Sequence, residues 1–163
     1  MKDSISQSRL KELFEYSKDT GEFKWKIRSA KNIRIGQSAG CKRKDGYIVI
    51  RCDGKLYLAH RLAWLYCFGQ FPEDLIDHID GNPSNNRLDN LRSANASINC
   101  QNLHKPNRRS RDGFIGAGRH KGKWMAQIRV NGKKVQLGTY ATPELASAAY
   151  KAAKRLLHPG CTI

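Results

Sequence analysis

From Lys123 to Val130 the chain alternates, setting Trp124, Ala126, Ile128 and Val130 on one side and Lys123, Gln127 and Arg129 on the other. A period of two is the signature of a strand with one buried face. The alternation stops at Asn131-Gly132, a dipeptide suited to the left-handed torsions of a two-residue hairpin, before Lys133-Lys134-Val135-Gln136-Leu137-Gly138. Thr142-Pro143-Glu144 then starts a helix, with Thr142 as N-cap and Pro143 at the first helical position. Its expected apolar face is Leu145, Ala146, Ala149, Tyr150, Ala153 and Leu156-Leu157. This end of the chain is therefore expected to be a small antiparallel sheet covered by one helix.

The preceding part follows other rules. Leu10, Leu13, Phe14 and Tyr16 have the spacing of a short amphipathic helix, broken by Asp19-Thr20-Gly21. Phe23-Lys24-Trp25-Lys26-Ile27 alternates like a half-exposed strand, and Asp53-Gly54 is a hairpin signal between Tyr47–Ile50 and Tyr57–Ala59. Leu62, Ala63, Leu65, Tyr66 and Phe68 form the buried face of a helix that ends near Gly69 and Pro72. The expected fold class is α+β.

Charge divides the chain in the same place. The net charge is +16 over 163 residues. Residues 1–103 carry 17 basic and 12 acidic side chains, and residues 104–163 carry 13 basic and 2 acidic. The expected organisation is a module over 1–103, a basic linker over 104–112 and a second module over 113–163, the linker containing Lys105-Pro106-Asn107-Arg108-Arg109-Ser110-Arg111. Such a positive balance favours a polyanionic partner, because each neutralised phosphate releases counterions. Solvated surface lysines or an RNA-binding protein would fit the charge too. The five cysteines, Cys41, Cys52, Cys67, Cys100 and Cys161, are odd in number and contain no C-x-x-C pair, which argues against a disulfide framework or zinc knuckle. They are expected to be free and mostly buried. No apolar run approaches the roughly 18 residues of a membrane span. Met1-Lys2-Asp3-Ser4 lacks the apolar core of a signal peptide, so the expected location is cytoplasmic.

The chemistry is concentrated in Asp77-His78-Ile79-Asp80-Gly81-Asn82, followed by Asn85-Asn86-Arg87-Leu88-Asp89-Asn90-Leu91-Arg92 and Asn99. Neutral imidazole accepts a proton from water near neutral pH, and carboxylate and amide oxygens suit magnesium or manganese. A base, a hard cation and excess positive charge are what phosphodiester hydrolysis requires. Asp77 and His78 are neighbours, so on a regular strand they would point apart, and Gly81 and Pro83 supply the irregularity that would let them converge. Asn99 falls in a short helix expected over 94–102 with Ser93 as cap. Asn and Asp also populate ordinary turns, so the residues alone leave catalytic site and polar loop equally open.

The run His60-Arg61-Leu62-Ala63-Trp64, Gly69, Phe71-Pro72, Asp77–Asn82, Asn86–Arg92 and Asn99 resembles HNH homing endonucleases of phages, as do Tyr16, Thr20-Gly21-Glu22, Trp25, Gly40 and Gly46-Tyr47 upstream. The resemblance spans roughly residues 8–103. It implies a ββα-metal module with one divalent ion, magnesium or manganese. His78 would be the general base, Asp77 and Asn99 the metal ligands, and Asn90 the brace of the loop that orients the histidine. His60 is read as a packed core histidine in preference to a phosphate contact.

Gly122–Ile128, Leu137-Gly138-Thr139-Tyr140 and Ala146–Tyr150 look like the APETALA-two-type DNA-binding domain of plant ethylene-response factors, which reads DNA with a three-stranded sheet packed on one helix. That implies DNA contacts by Arg119, Lys121, Lys123, Gln127, Arg129, Lys133, Lys134 and Gln136. The first strand departs from the family, since Gly113–Arg119 offers one arginine where several Arg or aromatic residues are usual.

The combined expectation is a site-specific DNA endonuclease of the homing type, acting on double-stranded DNA as monomer or homodimer. No membrane partner and no small-molecule cofactor are expected. If phage-encoded, it would work in the host cytoplasm. A fragment ending near Asn102 is expected to fold and cut weakly. The rival is a non-catalytic DNA-binding regulator that keeps the first module as scaffold. An RNA-binding role is weaker, because the aromatics form no evident stacking platform.

Overall fold

A computed structural model describes residues 5–106 and 112–163. The expectations placed on Met1–Ser4 and on the linker residues 107–111 lie outside the described residues. Two compact units emerge, Met1–Ala94 and Asn95–Ile163. All strand pairing is antiparallel.

The first unit begins with helix α1 (Gln7–Leu13), capped by the Ser6 hydroxyl on the Arg9 N–H. The helix stops earlier than its apolar spacing suggests. Phe14 and Tyr16 instead lie on strand β1 (Phe14–Tyr16), opposite Trp25 and Phe23 of β2 (Phe23–Trp25). Aromatic pairs across two strands outcompete another turn of helix here, because they join a packed cluster with Tyr66. A second sheet contains β3 (Cys41–Lys42), β4 (Ile48–Cys52) and β5 (Lys55–Leu58). Asp53 and Gly54 make the turn between β4 and β5 with φ of 45° and 81°. Helix α2 (Ala59–Phe68) follows and ends as expected, with Gly69 left-handed at φ 81°.

The core of this unit is built from Leu10, Leu13, Phe14, Ile50, Leu62 and Leu65 with their neighbours, and it extends to Ile76 and Leu91. Those last two belong to the ribbon of β6 (Leu75–His78) and β7 (Leu91–Ala94). Burying Ile76 and Leu91 fixes that ribbon against the core, and with it the residues between its strands.

The second unit holds α3 (Ala96–Gln101), β8 (Ala117–His120), β9 (Lys123–Val130), β10 (Lys133–Tyr140) and α4 (Pro143–Leu157). The sheet order is β10-β9-β8, and α4 packs on it through Ala126, Ile128 and Ala146. Asn131 and Gly132 form the expected turn, and the Thr142 hydroxyl accepts from the Leu145 N–H as the expected cap. The helix face differs from expectation. Leu145 and Leu156 are exposed, whereas Ser147 and Lys154 are buried. Ser147 donates to the Ile115 carbonyl at 2.9 Å and Lys154 to the Leu103 carbonyl at 2.6 Å, so hydrogen bonds let these polar side chains share burial with Ala146.

Helix α3 is shorter than expected, and Asn95 caps it in place of Ser93, which lies in β7. It packs with the second unit, so the boundary drawn at residue 103 falls inside that unit. All five cysteines are free; only Cys52 is buried, because Cys41 and Cys100 lie on exposed positions of short elements. Among the described residues no helix is long and apolar enough to cross a membrane.

Candidate active site

Asp77 and His78 are the last two residues of β6, both inside the regular strand. Successive strand side chains leave opposite faces, so the strand itself does not bring them together. The irregular backbone begins only after His78, where the Gly81 N–H bonds the His78 carbonyl at 2.8 Å. The two side chains have separate neighbours. Asp77 lies opposite Arg92 on β7 and accepts from its guanidinium on Oδ2 at 2.8 and 2.9 Å. His78 lies on the side of Ile76 and Leu91, against His60 and Tyr47.

The loop between the strands is organised by Asp80 and Asn90. Asn90 Oδ1 accepts from the Asp80 N–H at 3.0 Å, and Asn90 Nδ2 donates to Asp80 Oδ1 at 3.0 Å and to the Asn85 carbonyl at 2.8 Å. The Asn90 carbonyl takes the Ile79 N–H at 2.9 Å. Asn85 Nδ2 reaches Asp80 Oδ2 at 2.8 Å. Burial works to raise the Asp80 carboxyl, but hydrogen bonds from Asn85, the Asn82 N–H and Asn90 outweigh it and hold it below the usual range. The loop is thus closed on itself immediately beyond His78.

His78 is 5% exposed. Burial lowers its pKa below the ordinary histidine value, against a hydrogen bond to the Asn86 amide oxygen and the nearby Asp80 and Asp77 charges. The ring is therefore neutral at pH 7. Its Nε2 lies 3.2 Å from Asn86 Oδ1. The amide is oriented by Nδ2, which points to the Ser84 carbonyl at 3.4 Å. With the amide oxygen facing it as acceptor, this contact favours the tautomer with the proton on Nε2. His60 is buried in α2, as a packed histidine would be.

Three residues of this arrangement carry the resemblance but were given no role of their own from the sequence. Asn86 reads as one more turn asparagine, and its distance of eight residues from His78 has no regular period. Arg92 is recognisable only once the register places it opposite Asp77. Tyr47 lies on another sheet's approach and is brought to His78 by tertiary packing. Asn99 lies on α3 in the second unit. Among the described residues no group of three His, Cys, Asp or Glu side chains is placed to hold a metal ion.

The residues expected to contact DNA lie on or beside the three-stranded sheet, and they divide between its faces. Gln127 stands opposite Gln136 and Arg129 opposite Lys134, so these four share the exposed face with Lys123. Arg119 stands opposite Trp124, and Lys133 opposite Val130, on the helix side. The Arg119 guanidinium lies 5.1 Å from the centre of the Trp124 ring. Lys121 occupies the turn between β8 and β9 at φ 48°.

Residues 57–101 match the family model described as HNH endonuclease. The matched segment includes the end of β6, where His78 follows Asp77, and the loop closed by Asn90. The chain is 31% identical over 100 residues to Protein 3.8 of Escherichia phage T7, an alignment covering 60% of this chain and 82% of that protein. It belongs to the family of that phage protein and carries an HNH endonuclease domain. No solved structure matches the chain.

Proposed function

We propose that this protein is a site-specific DNA endonuclease of the homing type, with His78 as the general base. The observation that carries the reading is a buried His78 at the end of β6, held through Nε2 by the Asn86 amide, within an HNH endonuclease match. In this reading Nδ1 takes a proton from the water that attacks the scissile phosphate. Asn90 holds the loop closed and so keeps the end of β6 in place.

By the resemblance to HNH homing endonucleases, the Asp77 carboxylate and the Asn99 amide are the ligands of one divalent ion, magnesium or manganese. That ion would offset charge on the phosphate and on the leaving oxygen. The donor chemistry fits, because both are hard oxygen ligands. Magnesium characteristically takes only one or two protein ligands and fills its shell with water and phosphate oxygens, so a cluster of three acidic or imidazole groups is not required. Arg92 holds the Asp77 carboxylate across the ribbon.

Substrate location would fall to the basic sheet of the second unit, in the manner of the APETALA-two type, with Gln127, Arg129, Lys134 and Gln136 as its centre. The experiment is cleavage of plasmid DNA with and without chelator. Loss of cleavage in EDTA and its return with magnesium or manganese supports the reading. Tight DNA binding with no cleavage under any metal supports the non-catalytic regulator instead.

A further inference from the structure

The β1–β2 hairpin has no part in the chemistry just described, yet it reaches the candidate base through one residue. Asn86 is 1% exposed, more buried than His78 itself. Its side chain bonds His78, and its backbone is clamped from the far side. The Tyr16 hydroxyl donates to the Asn86 carbonyl at 2.7 Å in a buried contact. The turn after Tyr16 presses on the same peptide: a Cβ at Gly21 would lie 2.5 Å from the Asn86 carbonyl carbon and the Arg87 nitrogen. The Leu88 N–H bonds the Lys18 carbonyl at 3.2 Å.

We propose that Asn86, held by Tyr16 and the Gly21 turn, is a positioning residue that sets the tautomer and ring orientation of His78. The hairpin then serves catalysis without touching DNA. Two facts take this beyond ordinary loop packing. The contact ends on a ring nitrogen rather than on backbone, and its chemical sense matters, since an acceptor at Nε2 leaves the lone pair at Nδ1. Tyr16 binds the backbone carbonyl of the same residue whose side chain meets that nitrogen.

The inference rests on His78 acting as the base, so the test separates the two. Asn86→Ala, Asn86→Asp, Tyr16→Phe and His78→Ala are compared for kcat, KM and DNA affinity, with nitrogen NMR of labelled histidine reporting the His78 tautomer. Asn86→Ala is expected to lower kcat about 10–100-fold, the range for losing a group that orients a functional histidine, with KM unchanged and tautomers mixed. Asn86→Asp keeps an acceptor and should retain the Nε2–H tautomer. Tyr16→Phe removes only the hydroxyl that holds the Asn86 carbonyl and should lower kcat in the same sense, which keeps the test decisive if Asn86→Ala does not fold. Unchanged kcat and tautomer in Tyr16→Phe and the foldable Asn86 variants, with His78→Ala inactive, overturns this inference alone. Full activity in His78→Ala overturns the base assignment on which it rests.

Discussion

His60 lies edge-on to His78, with ring centres 5.0 Å apart and planes at 86°. The Tyr47 ring lies 5.4 Å from the first and 5.9 Å from the second. His60 Nδ1 is buried without a hydrogen-bond partner. Burial, then the neighbouring His78 and Arg61, push its pKa down to about 3. A histidine with a lowered folded pKa favours the native state above its unfolded value of about 6.5, and this stability is lost as pH falls toward the folded value. Between those limits the loss should approach ~1.4 kcal/mol per pH unit. His60→Phe keeps a ring but cannot protonate, so it should lose less stability on acidification. Denaturant melts of both proteins near neutrality and near pH ~4 measure the difference. Parallel acid losses would show that His60 does not carry it.

Gln127, Arg129, Lys134 and Gln136 share one face of the β8–β10 sheet, and Arg119 stands on the other. Arg129→Ala with Lys134→Ala should weaken DNA binding and make the log–log salt dependence shallower by about 0.9 for each phosphate that is no longer neutralised. Arg119→Ala should leave that slope nearly unchanged and instead cost about 0.5–1 kcal/mol of stability through its stacking on Trp124. Equal slopes for the double variant and the parent would remove the sheet from the DNA interface.

Helix α3 depends on the C-terminal segment. Lys154 Nζ donates to the Leu103 carbonyl, and the Gly160 N–H donates to Gln101 Oε1 at 3.0 Å. Asn102, His104 and Thr162 form a further side-chain cluster. A six-residue helix does not persist alone in water. A chain ending at Asn102 should therefore lose amide-exchange protection across 96–101. The sequence pattern alone suggested that such a fragment would fold and cut weakly; the packing predicts that it loses the support of Asn99. Retained protection in the fragment would contradict this.

Gly21 adopts φ 73° with no room for a side chain. Gly21→Ala should destabilise the first unit by more than about 1 kcal/mol, since a strained torsion and a backbone clash coincide. Thermal unfolding measures it, and an unchanged midpoint would mean that the loop at Asn86 is free to move.

Strands, turns and caps set by local chemistry were legible in the sequence: Asp53-Gly54, Asn131-Gly132, Gly69 and Thr142 all sit where their torsions and side chains require. What was hidden depends on partners distant in sequence. Phe14 and Tyr16 fit a helix until Trp25 and Phe23 are placed opposite them. Lys154 looks solvent-facing until the Leu103 carbonyl is beneath it. At the candidate site, Asp77, His78 and Asn90 stand out by residue type and spacing, whereas the importance of Asn86 comes from one contact across the loop. The resemblance grouped Arg119 with the other DNA contacts, and only the register with Trp124 shows that it stands on the opposite face from Gln127 and Arg129.

The most direct measurement is single-turnover cleavage of plasmid DNA by purified wild-type protein and His78→Ala, each with magnesium and with excess EDTA. The account predicts cleavage by wild type only with the metal. With magnesium, His78→Ala should be slower by about 10²–10⁴-fold, the range for losing a positioned general base, while binding DNA with unchanged affinity. Near-wild-type cleavage by His78→Ala, or full wild-type activity in EDTA, would contradict it.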